Sequence, residues 1–131
     1  MTAPRKPRKV GPKFMYQIVD GNEVRWQFFE IDVEDLAKID PSAYAVTVAS
    51  KSMVVVERGI SDDIRDISAF HEMMHFCSSA PGDSESLSRI LGCESDKVEA
   101  LEEGFVSFLA PKLYALLVKN GMLIMPKPEK K

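Results

Sequence analysis

The first half of the chain carries short apolar runs broken by turn residues, and the second half carries apolar positions at helical spacing. Phe14 to Val19 and Glu23 to Ile31 are rich in aromatic and β-branched residues and flank Asp20-Gly21-Asn22, which predicts a hairpin. Trp26, Phe28 and Phe29 lie in the second of these runs and are expected core aromatics. Asp32 is placed to cap a short helix through Leu36 to Ile39, ended before Pro41. Tyr44 to Val48 and Met53 to Glu57 predict two further strands, joined by the turn-like Ser50-Lys51-Ser52.

From residue 61 the period changes. Ser61-Asp62-Asp63 offers an N-cap and acidic first-turn residues, which suit the positive end of a helix. Ile64, Ile67, Phe70, His71, Met74 and His75 then recur on one helical face, and Pro81-Gly82 limits the helix. Ser95-Asp96 predicts the cap of a second long helix, with Val98, Leu101, Phe105, Phe108 and Leu109 as its apolar face. The expected fold class is therefore α+β, a small and mostly antiparallel sheet packed beside three or four helices. A strand at Met53 to Glu57 is expected either at a sheet edge, where an extended peptide can add, or in the interior.

Composition changes this picture little. With 131 residues, 45% of them hydrophobic, the chain can bury one core, expected over residues 14–125. The net charge of −3 makes no general case for nucleic acid or membrane binding. Residues 1–13 hold Arg5, Lys6, Arg8, Lys9 and Lys13 without an acid, and 126–131 are similar, so both ends read as flexible basic arms. Solubilising tails are the expected role, rather than contact with nucleic acid. No signal peptide, transmembrane run or repeat is legible, and Cys77 and Cys93 are too far apart for a C-x-x-C pair. Reduced thiols in a cytoplasm are the expectation, with Cys93 a packing residue or, less favoured, a ligand.

The chemistry sits at His71-Glu72-Met73-Met74-His75, an H-E-x-x-H motif that uses both histidines of the chain. On a helix, residues four apart share a face, so both imidazoles can reach one ion. Glu72 projects to one side, where it can hold and deprotonate a water. A catalytic zinc takes three protein ligands, and no third histidine exists. The extension H-E-x-x-H-x-x-G-x-x-H fails, because Ser78 and Pro81 stand at its glycine and last histidine. The third ligand must then be an acid or a cysteine, and the strongest cluster is Glu99, Glu102 and Glu103 on the second helix. Glu99 borders the expected apolar face and is favoured. Glu103, one turn later, suits a carboxylate that hydrogen-bonds a ligating imidazole, and both Glu103 and Glu102 compete for the ligand role.

H-E-x-x-H followed by E-x-x-x-E resembles the gluzincin class of zinc metallopeptidases. Val98 to Leu109 is similar to the helix that carries the third ligand in small phage- and mobile-element-encoded members. Phe105-Val106-Ser107-Phe108-Leu109-Ala110-Pro111 looks like the segment after that ligand in the repressor-cleaving and stress-response branch. The likeness spans about residues 43–118. It implies a minimal zincin-like core, Zn²⁺ on His71, His75 and Glu99, Glu72 as general base, and a peptide or protein substrate. Tyr114 and Tyr44 are the tyrosines weighed as a second donor to an oxyanion, with Tyr114 favoured instead as a core residue of the C-terminal helix. Two alternatives remain open, a zinc-stabilised interaction module without catalysis and a metal-free helical domain. The sequence leaves the oligomeric state open.

Overall fold

The computed structural model describes residues 11–78, 89, 92, 94 and 97–128. Strands β1 (Lys13–Val19) and β2 (Arg25–Ile31) lead into a short helix α1 (Val33–Ala37). Strands β3 (Ala45–Val48) and β4 (Met53–Glu57) follow, joined by a 3-10 turn at Ala49–Lys51. Two long helices complete the described part, α2 (Asp62–Ser78) and α3 (Val98–Lys119). The architecture is α+β, as the pattern of elements predicts: a four-stranded sheet in the order β1-β2-β4-β3 with three α-helices among the described residues.

The β1–β2 hairpin is held by one carboxylate. Asp20 accepts the backbone N–H groups of Asn22 and Val24 on Oδ1, and the Trp26 indole N–H on Oδ2 at 2.9 Å. The Trp26 bond, above all, lowers the Asp20 pKa. The residue with positive φ is Glu23, at 65°, so the turn extends past Asn22 and β2 starts at Arg25 rather than at Glu23. In β1 the register shifts between Phe14 and Tyr16, and the inserted Met15 lets two successive residues, Met15 and Tyr16, both face the core. Lys13, expected in the N-terminal arm, is the first residue of β1.

The sheet is mixed. β1–β2 and β3–β4 are antiparallel, but the central β2–β4 pairing is parallel. The hairpin β3–β4 lays its second strand beside β2, which makes β4 interior and β3 the edge. Composition explains the choice, since Val54, Val55 and Val56 are an unbroken apolar run and all three are buried. Val54 and Val56 join Met15, Trp26, Phe28, Ala69 and Phe76 on the α2 side of the sheet, where the Trp26 and Phe76 rings stack at 4.1 Å. Val55 joins Ile31 and Leu36 under α1. Phe29, expected in the core, is half-buried and packs edge-on against Phe14.

Asp32 does not cap α1 through its side chain. Its Oδ1 accepts from Arg58 Nη1 at 2.6 Å, and the same guanidinium donates to the carbonyls of Gly11 and Glu30. Arg58 thereby ties the start of β1, the end of β2 and the start of α1 together. The cap expected at Ser61 does form, with its Oγ accepting from the Ile64 N–H. α2 lies between the sheet and α3, with Ala69 and Phe76 on the sheet side and Phe70 against Val106 and Ala110 of α3.

α3 faces the molecule with a different side from the one its apolar residues predict. Its buried residues are Val98, Glu102, Val106 and Ala110, four apart throughout, while Leu101, Phe105 and Phe108 are exposed. Pro81-Gly82, Cys93, the expected cap Ser95-Asp96, residues 1–10 of the N-terminal arm and 129–131 of the C-terminal one lie outside the described residues. Residues 126–128 have no regular structure, and Pro126 and Pro128 are half-buried.

Candidate metal centre

α2 presents His71 and His75 one turn apart on the side that meets the N-terminal half of α3. Their Nε2 atoms are 3.3 Å apart. Glu103 reaches across from α3 to both of them, with Oε1 3.1 Å from His71 Nε2 and Oε2 2.7 Å from His75 Nε2. Donor atoms of His71, His75 and Glu103 all lie within 4.8 Å of one another. Two nitrogens bound at 2.0–2.1 Å to a tetrahedral zinc stand roughly 3.3 Å apart, so the imidazole pair is already at ligand spacing. Three N and O donors leave one tetrahedral position for water, the donor count of a catalytic rather than a closed structural site.

The third acid is therefore Glu103 in geometry, where Glu99 was favoured on sequence. Glu99 is exposed in the first turn of α3 and outside the cluster. The cause is the rotation of α3. Once Val98, Glu102 and Val106 face inward, Glu103 flanks the buried arc beside α2, and Glu99 lies one turn short of the histidines. Glu102 takes the role first expected of Glu103. It is buried, and its Oε1 lies 2.5 Å from His75 Nδ1. Adjacent carboxylates thus address opposite nitrogens of one ring. A proton on Nδ1 donated to Glu102 leaves the Nε2 lone pair directed at Glu103 and His71, the tautomer that a metal needs. The Ser107 hydroxyl donates to Glu103 Oε1 at 3.1 Å and helps to fix that carboxylate.

Burial disfavours a charged His75, but the Glu102 bond, with the charges of Glu102, Glu72 and Glu103, outweighs it and raises the pKa. Glu72 is also raised. Its burial dominates over the opposing Thr47 bond and the two histidines, with Glu103 adding repulsion. Glu72 lies near the histidines, as the motif requires, but is buried rather than open to a cleft. Its Oε2 accepts the Thr47 hydroxyl at 2.6 Å, which fixes the carboxylate to edge strand β3.

Thr47 and Ser107 were not singled out from the sequence. The one signal for Thr47 is a hydroxyl in the otherwise apolar strand Ala45-Val46-Thr47-Val48. For Glu102 the signal is the run Val98, Glu102, Val106, Ala110 at a spacing of four. Tyr114 packs against Phe70, and burial together with Asp66 and Asp63 raises its pKa, which places it by the first turns of α2. It is not set as an oxyanion donor. The Tyr44 side chain is exposed at the start of β3. Cys77 is an exposed free thiol. Among the described residues no helix is long and apolar enough to cross a membrane.

Searched against protein-family models, curated proteins and solved structures, the chain finds no match.

Proposed function

We propose that this protein is a zinc-dependent hydrolase of peptide bonds, with His71, His75 and Glu103 as the metal ligands. The observation that carries the reading is the convergence of Glu103 from α3 on both Nε2 atoms of an H-E-x-x-H helix whose intervening acid, Glu72, lies among the same charged groups. Zinc in such a site lowers the pKa of a water and polarises a carbonyl.

The remaining work belongs to side chains of this chain. Glu72 takes the proton of the attacking water and passes it to the leaving amine. Thr47 holds Oε2 of that carboxylate, which directs Oε1 to the proton. Glu102 keeps His75 in the ligating tautomer. β3, rather than β4, is the sheet edge next to Glu72, and an extended peptide adding to it would bring its carbonyls toward the metal.

The burial of Glu72 favours a second reading, a zinc-stabilised interaction module that does no chemistry. One pair of measurements separates the two. Protein purified without added metal is analysed for zinc, and wild type and Glu72→Gln are assayed on a denatured proteome with and without chelator. Hydrolysis requires about one zinc per chain in both proteins, and cleavage lost roughly a hundred- to ten-thousandfold in Glu72→Gln. Zinc in both proteins with no cleavage by either supports the module. Absence of zinc from the wild type removes both readings.

A further inference from the structure

Thr47 belongs to two arrangements at once. Its side chain crosses from β3 to α2, where the hydroxyl donates to Glu72 Oε2 at 2.6 Å. Its main chain serves a different side of the strand. The Glu57 N–H donates to the Tyr44 carbonyl, and the register pairs Ala45 with Val56 and Thr47 with Val54. Successive residues of an antiparallel strand turn their polar groups to opposite sides. Tyr44, Val46 and Val48 therefore bond to β4, while Ala45 and Thr47 direct their N–H and C=O groups to the outer edge. The far side of β4 agrees in phase. Ser52 accepts from the Gln27 N–H and Arg58 donates to the Ile31 carbonyl, so even positions there serve β2 and odd ones serve β3. Among the described residues no strand pairs with the outer edge of β3.

We propose that Thr47 is a positioning residue that sets the register between substrate and base: a peptide pairs with its main chain, and its hydroxyl holds the carboxylate that acts on that peptide. The inference rests on the hydrolase reading and deepens it by naming the substrate class. That class is an extended stretch of polypeptide read through its backbone. A segment whose N–H groups are already spent in a helix or a sheet cannot pair at this edge. The valines on either side of Thr47 show that the strand itself needs no hydroxyl here. The bond removes rotational freedom from the Glu72 carboxylate and ties it to the strand that carries the substrate. Any shift of β3 on peptide binding then moves base and substrate together, where a relative misplacement of about 1 Å can cost roughly a hundredfold in rate.

The test separates binding from chemistry. Zinc-loaded wild type is run on a denatured proteome, and the peptide it cuts best is resynthesised for kinetics. Thr47→Val keeps the main chain and the shape and loses only the hydroxyl. It is expected to lower kcat roughly a hundredfold and to leave KM within about twofold, with circular dichroism and zinc content unchanged. Thr47→Ser, which keeps the hydroxyl, is expected to recover most of kcat. The peptide is also N-methylated one residue at a time. Methylation is expected to raise KM about tenfold at the residue paired with Thr47, in wild type and Thr47→Val alike. Full kcat in Thr47→Val overturns the proposal and leaves the hydrolase reading standing. A loss that serine does not recover does the same, as does a peptide indifferent to methylation at every residue. A zinc-loaded wild type that cuts nothing overturns both.

Discussion

The two helices that build the candidate metal centre differ in how much of their facing their own residues determine. α2 is charged or polar over most of its circumference, with Asp62, Asp63, Arg65, Asp66 and Glu72 among its residues. Its apolar side chains can satisfy one orientation, so His71 and His75 fall on a known face. α3 carries large apolar residues on more than one side, so its apolar pattern alone does not select one orientation. The orientation adopted buries Val106 and Ala110 against Phe70 and leaves two phenylalanines outside. It also gives Glu102 a partner on His75. A buried carboxylate without a partner is costly, whereas one bonded to an imidazole is not, so polar pairing can settle what apolar area leaves level. A helix with one apolar arc reveals its facing; a helix with two must be read from its polar residues.

Exchange of single acids on α3 tests this contrast most strongly. Glu103→Gln should weaken zinc binding more than a hundredfold, Glu102→Gln by roughly ten- to a hundredfold, and Glu99→Gln by no measurable amount. Competition titration against a chromophoric chelator reads all three. If Glu99→Gln is the variant that loses zinc, α3 is turned as its large apolar residues suggest and the described facing is wrong.

The contrast also marks what was legible in the sequence. Strand positions, the hairpin, the Ser61 cap and the facing of α2 follow from local patterns, because each depends on residues within a few positions of one another. The parallel β2–β4 pairing does not. It joins Gln27 to Met53 across a crossover, and only the three valines of β4 hint at an interior strand. Asp32 shows the same limit. Its position marks a cap, but Arg58, 26 residues away, takes the carboxylate. Thr47 reaches Glu72 across 25 residues, a distance at which no local pattern announces a pair.

Packing distinguishes the two sides of α3 at a lower energy. Val106 is 1% exposed between α2 and α3, and Val106→Ala should cost about 2 kcal/mol in chemical denaturation. Ala100→Ser on the outer side should stay within about 0.5 kcal/mol. Equal costs at the two positions would show that both faces are packed.

A weaker effect follows from pH in chelator. His75 is raised above its ordinary 6.5, chiefly because Glu102 outweighs burial, and Glu72 is raised above 4.5 by burial. Both groups favour the folded state when protonated. Their contributions are complete below the unfolded values and are lost as pH rises through the folded ones. The melting temperature of metal-free protein should therefore fall as pH rises above about 6.5, the ordinary histidine value, and fall less in Glu102→Gln. Parallel curves for the two proteins would remove Glu102 as the source of the His75 shift.

The smallest expected change is at Tyr16, whose buried hydroxyl has no hydrogen-bond partner among the described residues and whose pKa is pushed up by burial and by Asp66. Tyr16→Phe removes a desolvated donor and keeps the ring against Phe28, so stability should hold or rise slightly. A loss of more than about 1 kcal/mol would mean that the hydroxyl is satisfied.

The reach of Glu103 to His71 has a further consequence. It closes a loop of chain, the two residues standing 32 positions apart. An ion gripping both ends acts as a detachable cross-link, and for a loop of this length a permanent one is worth roughly 3–4 kcal/mol of chain entropy. Strands β1 to β4 lie wholly outside that loop. Withdrawal of such an ion would therefore free α3 before the sheet with its valine strand. If the site takes an ion, amide exchange in α3, rather than in β4, is where its removal would register.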